Sequence, residues 1–410
     1  PNAIPAPGQK YVQNSPNAWA PLAYDAALDI VYIPTGVGTP DIWGGNRTEL
    51  HERYANSMLA LNASTGKLVW NFQTTHHDLW DMDVPSQPTL TDIKDKSGKM
   101  VPAIYVLTKT GNAFVLDRRT GAAIVPITEK PVPQTVKRGP QTKGERYSAT
   151  QPFSDFDLAP KEKLTDKQMW GATMFDQLMC RVSFHKLNYD GIYTPPSENG
   201  TLVFPGNLGV FEWGGMSVNP DRQIAVMNPI GLPFVSRLIP ADPNRPKTAK
   251  GAGTEAGVQP MYGVPYGVEI SAFLSPFGLP CKQPAWGFVA GVDLNTHEVA
   301  WKRRIGTIRD SLPGIQLPPF KMGVPMLGGS ISTAGNVMFV GGTQDNYIRA
   351  INVTNGDELW KGRLPAGGQA TPMTYEANGK QYVVIMAGGH GSFGTKMGDA
   401  LVAYALPDAK

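Results

Sequence analysis

Between Thr74 and Pro85 the chain reads TTHHDLWDMDVP, which packs two histidines, three aspartates and a tryptophan into twelve residues. Carboxylates at that density can take a proton from a hydroxyl or hold a hard cation through oxygen, and imidazoles can do acid–base work or ligate a metal. The segment follows closely on Trp70 and falls at a strand end, where bases and ligands gather on loops held by a rigid scaffold. The same residues also suit a plain loop, with aspartates capping turns and histidines satisfying backbone carbonyls. Elsewhere Lys109, in LTKTGN, reads as a turn lysine, and Trp19 and Trp43, in SPNAWAP and PDIWGG, read as core aromatics. The glycines of GGHGSFGTKMGD, Gly388–Asp399, form loops. No strand–GxGxxG–helix, GxxxxGK[ST], GxSxG or HExxH pattern occurs, so phosphate cradles, serine elbows and zincin sites are not indicated.

The elements that must position these residues come from an internal repeat. Residues 60–70 read ALNASTGKLVW, 350–360 read AINVTNGDELW, 291–301 read GVDLNTHEVAW, and 115–121 give VLDRRTG without the final Trp. Each is a strand end, an Asp or Asn, a tight turn, and a new strand that usually closes on Trp. Asn62, Asp117, Asp293 and Asn352 can bond their own turn backbone, while Gly66, Gly121 and Gly356 supply positive φ. The Trp is expected to pack flat between neighbouring sheets. Gly66 to Gly121 spans 55 residues and Thr296 to Gly356 spans 60, the length of a four-stranded blade with generous loops. The expectation is an all-β propeller of antiparallel blades, of which the repeat covers about five. Further strands are expected at Ile30–Pro34, Ala103–Leu107, Asn336–Val340, Gln381–Met386 and Leu401–Ala405. Residues 125–169, rich in Pro, Lys and Gln, read as a long excursion within one 1–410 domain, and 241–258 as a second loop. Thr165–Leu178 is the best short helix candidate.

Gly 45 and Pro 37 make about a fifth of the chain and charged residues only 17%, which suits many short strands and tight turns. A net charge of +3 with no Lys/Arg run gives no footprint for nucleic acid. No run of 18 or more apolar residues occurs. The opening PNAIPAPGQK has neither an initiator Met nor a leader, so the expectation is a fragment or processed chain lacking N-terminal blades. Cys180 and Cys281 match no metal or CxxC spacing, and two buried free thiols are expected.

Taken together, the repeats and the segments SPNAWAPLAYD, TGVGTPDIWGGNR, HHDLWDMD, KTGNAFVLDRRTG, WGATMFDQLMCR, FPGNLGVFEWGG, GLPCKQPAWG and LPAGGQATPMTY resemble the membrane-bound quinoprotein glucose dehydrogenases. These belong to the wider family of pyrroloquinoline quinone (PQQ)-dependent alcohol dehydrogenases, and the resemblance runs over essentially the whole chain. It implies an eight-bladed propeller with the quinone flat in a central chamber. It implies oxidation of glucose at C1 to a lactone, on the periplasmic face of the bacterial inner membrane. Electrons would pass to ubiquinone through a protein whose N-terminal transmembrane part is absent from this chain. Quinate, shikimate or another polyol is the alternative substrate, and a non-catalytic propeller scaffold is the alternative of a different class.

Residue by residue, the resemblance places Trp19 under the quinone ring. It makes Asp81 the base that takes the hydroxyl proton, and Lys109 the cation on the quinone oxygens. Asn228, in VMNP, matches a cofactor contact, while Asp345 and His390 match positions near the substrate. One departure concerns the metal, Ca²⁺ or Mg²⁺. Alcohol-oxidising relatives carry a ligating Asn just after the Thr/Ser-Gly turn, whereas Val37 follows Thr35-Gly36 here. Asp81, with Thr39 or Asp41, would supply oxygen ligands instead. The family's adjacent-cysteine disulfide has no counterpart.

Overall fold

The computed structural model describes residues 16–38, 41–95, 97–242, 257–259, 261, 264–311 and 316–407. The four repeat turns close in one way. The amides of Gly66, Gly121, His297 and Gly356 donate to the carbonyls of Asn62, Asp117, Asp293 and Asn352 at 2.8–2.9 Å. Each of those four side chains accepts a further turn amide at 2.7–2.9 Å. His297 does the glycine's work, at φ 61°. In the three repeats that end in Trp the hairpin carries a register shift at the same place, Ala60/Leu61, Gly291/Val292 and Ala350/Ile351.

The Trp ties one sheet to the next. Trp70 Nε1 donates to the Arg118 carbonyl at 3.1 Å, and Trp301 Nε1 donates to the Val353 carbonyl at 2.7 Å. Both acceptors follow the Asp or Asn of the next sheet's turn. The indole also covers that turn's glycine, so a Cβ at Gly121 would lie 2.9 Å from the Trp70 ring. The turn glycine therefore serves two needs, a left-handed backbone and a flat seat for a ring. Among the described residues no turn glycine seats Trp360, which stays 41% exposed.

Five propeller-type sheets result among the described residues. The first is Ala23–Asp25, Ile30–Pro34, Ser57–Asn62 and Leu68–Gln73; the second is Thr89–Lys94, Met100–Leu107 and Ala113–Asp117. The third is Met216–Asn219, Ile224–Met227, Phe288–Asp293 and Val299–Arg304; the fourth is Ser330–Ser332, Val337–Val340, Tyr347–Asn352 and Glu358–Arg363. The fifth is Met373–Ala377, Lys380–Ala387 and Ala400–Ala405. All pairs are antiparallel in chain order. Apolar side chains fill the space between successive sheets: Met58 and Trp70 against Phe114, Tyr105 against Met227, Trp301 against Met338, Ile348 against Ile385. The propeller expectation holds.

Among the described residues two further sheets accompany these five. The 125–169 stretch contains a hairpin, Ile127–Pro131 with Thr150–Ser154. A separate sheet pairs Thr201–Val203, Phe234–Pro240, Tyr266–Ala272 and Gly257–Gln259 in that order. Most of the expected 241–258 loop lies outside the described residues, and its last two residues belong to the Gly257–Gln259 strand.

Two expectations are corrected. Thr165–Leu178 is not one helix. A single 3₁₀ turn at Asp166–Gln168 is followed, past Gly171, by a helix at Met174–Lys186 whose N-cap is Thr173, with its side chain accepting from the Asp176 amide. The cysteines are not free thiols. That helix brings Cys180 to 5.3 Å, Cα to Cα, from Cys281, and the two form a disulfide across 101 residues of chain. Loop-closure entropy predicts that reduction, or the paired Cys180→Ser and Cys281→Ser replacement, costs about 4.7 kcal/mol. A urea midpoint that reductant leaves unmoved would show that the bridge carries no stability.

Candidate active site

Asp83 is the hub on which the site is built. Its Oδ2 accepts from Trp19 Nε1 at 2.8 Å and its Oδ1 accepts from the Val37 amide at 2.7 Å. Its backbone carbonyl accepts the Lys109 amide at 3.3 Å. The carboxylate fits there only because residue 36 is glycine, where a Cβ would lie 2.5 Å from Asp83 Oδ1. Lys109 Nζ then donates to Asp81 Oδ2 at 2.8 Å, stands 4.0 Å from Asp83 Oδ2, and lies 5.9 Å from the Trp19 ring centroid. Trp19, Asp81 and Lys109 therefore share one place, at the junction of the first two sheets. Trp19 remains 44% exposed, a flat indole face tethered at its edge beside a buried cation.

Electrostatics follow from burial. Burial pushes the Asp81 carboxyl well above the usual range, helped by Asp83 and Asp41 and opposed by Lys109. Burial alone would lower the Lys109 ammonium, but Asp81, Asp83 and Glu212 outweigh it and hold it above its ordinary value. Lys109 thus keeps its proton, and Asp81 binds one more readily than a solvated carboxylate does.

The loop around Asp81 is braced from several segments. Asp78 Oδ1 accepts the Trp80 amide at 2.8 Å; its Oδ2 accepts the Met82 amide at 2.6 Å and Asn56 Nδ2 at 2.8 Å. Burial raises the Asp78 carboxyl to about 6. Trp80 Nε1 donates to the Thr194 carbonyl at 2.7 Å, and Asn207 Nδ2 donates to the Trp80 carbonyl at 3.1 Å. Gln151 bonds the amide and the carbonyl of His76, both at 2.7 Å. The histidines of the segment face glutamates, His76 near Glu129 and His77 between Glu52 and Glu145. The plain-loop reading had these rings on backbone carbonyls; they meet side-chain oxygens instead.

The other candidates lie elsewhere. Asn228 bridges the third and fourth sheets, donating to the Met326 and Gly328 carbonyls at 3.3 Å each. Asp345 is fully buried in a network with Arg349 Nη2 at 2.6 Å, Thr343 Oγ1 at 2.5 Å and the Thr307 amide at 2.8 Å. His390 follows the fifth sheet's central strand and carries a buried Nδ1 without a protein partner. No described contact joins these three to Asp81. Trp43 is a core residue, with Nε1 donating to the Lys143 carbonyl at 3.2 Å. Thr39 lies outside the described residues. Asp83 and the role of the Val37 amide, which sequence reasoning missed, carry only a weak signal, the D-x-D spacing of residues 81 and 83.

A planar quinone fits what is present, namely an exposed indole face and a buried ammonium beside it. Among the described residues a divalent cation does not find a full shell. Both Asp83 oxygens accept from protein donors, and Asp81 Oδ2 accepts from Lys109. Among the described residues no group of three or more His, Cys, Asp or Glu could hold a metal ion. Six to eight oxygens would be expected for Ca²⁺.

Residues 1–383 match the family described as PQQ: Glucose/ethanol/alcohol dehydrogenase, beta-propeller domain. The chain is 86% identical over its full length to quinoprotein glucose dehydrogenase A of Acinetobacter calcoaceticus, of which it covers 51%. It is 66% identical to the quinoprotein glucose dehydrogenase of Escherichia coli K12, again covering all of this chain and 51% of the relative. Among solved structures, the quinohemoprotein alcohol dehydrogenase of Pseudomonas putida HK5 superposes with a TM-score of 0.57 at 25% identity, over 91% of this chain and 45% of that one. The chain spans about half the length of the relatives it matches.

Proposed function

The chain belongs to the PQQ-dependent glucose/ethanol/alcohol dehydrogenase β-propeller family, and from that premise we propose that it is the quinone-binding part of a dehydrogenase oxidising D-glucose at C1. The single observation that supports the reading is the Asp83-centred grouping of Trp19, Lys109 and Asp81. When bound, pyrroloquinoline quinone supplies the two-electron acceptor for the hydride on the sugar's C1. Trp19 offers its free face as the platform, held flat by its bond to Asp83. Lys109 presents a permanent cation where negative charge develops on reduction. Asp81 takes the hydroxyl proton on a carboxylate oxygen, and its burial raises its affinity for that proton. Trp80 and Met82, hung on Asp78, fix where that oxygen points.

Asn228, Asp345 and His390 are proposed as outer members of the same chamber, with the His390 Nδ1 able to meet a polar ligand. Ca²⁺ or Mg²⁺, with Asp81 and Thr39 or Asp41 among its ligands, remains a proposal drawn from the family, and no step is routed through it. The Cys180–Cys281 bridge supports an oxidising compartment; the periplasmic face of the inner membrane and ubiquinone as onward acceptor are proposed from the family resemblance. Among the described residues no helix is long and apolar enough to cross a membrane.

The test is reconstitution with the quinone and Ca²⁺ or Mg²⁺, followed by dye reduction over a substrate panel. Glucose is expected to exceed quinate and other polyols by about tenfold or more in kcat/KM. Quinate in the lead would reassign the substrate. Neither quinone binding nor turnover on any sugar or polyol would leave only a scaffold.

A further inference from the structure

Two residues of the loop that carries Asp81 hold left-handed backbone without being glycine, His77 at φ 43° and Asp81 at φ 61°. Such backbone costs about 1 kcal/mol or more per residue and persists only where surroundings enforce it. Those of His77 are specific. Its Nδ1 lies 2.9 Å from Glu52 Oε1, on the short helix Glu49–Tyr54, and its Nε2 lies 3.0 Å from Glu145 Oε1, in the 125–169 stretch. The side chains of His77 and Glu145 are each 2% exposed. Glu145 Oε2 also accepts the Gly44 amide at 2.6 Å. Carboxylates only accept, so an imidazole bonded to one on each side carries both protons.

We propose that His77 is the positioning residue for Asp81: a cation bonded to Glu52 and Glu145, it locks the turn that aims the Asp81 carboxylate at Lys109. This rests on the reading of Asp81 as the base. The link between the two positions is short and stiff. Gln151 fixes residue 76 through both backbone groups, and the Asp78 carboxylate closes residues 78–82 into a ring. A rotation at His77 is therefore passed to Asp81 instead of being absorbed. The 125–169 stretch, which supplies Glu145 and Gln151, becomes part of the turnover machinery without touching substrate.

Glu52 and Glu145 face the ring directly. Arg146 lies 3.0 Å from Glu52, Arg47 packs with His77 over Gly44, and Asp78 follows in the chain. Burial alone would lower the imidazolium, but the two carboxylates outweigh it and hold it above the ordinary histidine value. The clamp is thus fully present below the unfolded value of about 6.5 and is lost as pH rises through the higher folded value.

In the intact holoenzyme, His77→Gln is expected to lower kcat about thirtyfold, with KM and quinone affinity held within about threefold. The alkaline fall of wild-type kcat should flatten in the variant. Turnover within about threefold of wild type overturns the proposal, and so does loss of quinone binding alongside turnover, the mark of general structural damage. Asp81→Asn measured in parallel separates the two ideas. If it abolishes turnover while His77→Gln does not, only the clamp falls; if Asp81→Asn stays active, base and clamp both fall. Should His77→Gln not fold, the nitrogen-15 shifts of the wild-type His77 ring decide. Two protonated nitrogens at about pH 7 uphold the clamp, and a neutral ring there removes it.

Discussion

Asp81→Asn is expected to fold, to bind the quinone and to turn glucose over about a thousandfold more slowly than the parent protein, within the range that loss of a general base produces. The carboxamide has the shape of the carboxylate, so the left-handed turn and the Asp78 ring are undisturbed. Its oxygen can still accept the Lys109 bond now made at 2.8 Å by Asp81 Oδ2. One half-buried negative charge disappears from a site that also holds Asp83, which removes a repulsion and leaves Lys109 with Asp83 at 4.0 Å. The denaturation midpoint should therefore stay close to that of the parent, and only proton acceptance is lost. Steady-state kinetics with a titration of quinone affinity checks both halves. A variant oxidising glucose at near the parent rate would end the assignment of Asp81 as base.

The role of Asp81 comes from the family resemblance, whereas the fold is written in the residues themselves. The propeller is legible because one short pattern, Asp or Asn, turn glycine, strand, Trp, recurs and each part has its own local cause; the structure adds that the glycine of one turn seats the Trp of the sheet before it. Asp81, Lys109 and Trp19 could be named because the family resemblance singles them out. Asp83 was not, although it holds Trp19 and contacts Lys109, since its value lies in a glycine 47 residues earlier that leaves it room. The partners of His77 lie 25 and 68 residues away in chain, and nothing local marks them. The cysteines failed for the same reason. Only the packed helix Met174–Lys186, itself mistaken by several residues because Gly171 breaks the pattern and Thr173 restarts it, brings residue 180 to 281. Contacts inside one turn are written in the chain; contacts made by packing distant segments are not.

Lys109→Ala should do more damage than the loss of one hydrogen bond. Lys109 pairs with Asp81 at 2.8 Å, stands 4.0 Å from Asp83, and feels Glu212 as well. Removing its charge leaves buried carboxylates without their counter-ion, an imbalance that typically costs about 3–5 kcal/mol. It also removes the cation beside the Trp19 face, where charge would accumulate on a reduced quinone, a loss that slows such steps about a hundredfold or more. The two effects can be told apart. Lys109→Arg keeps the charge and should keep most of the stability, yet its planar fork does not reproduce a single ammonium placed 2.8 Å from Asp81 Oδ2, so reduction should still slow about tenfold. Stopped-flow absorbance at saturating glucose reads the reduction step directly, and urea unfolding of the same preparations reads the stability. If the Ala variant reduces bound quinone as fast as the parent, Lys109 has no part in the chemistry and serves only to neutralise Asp81 and Asp83. If both variants unfold alike, the charge that Arg keeps and Ala removes is not what the buried carboxylates require.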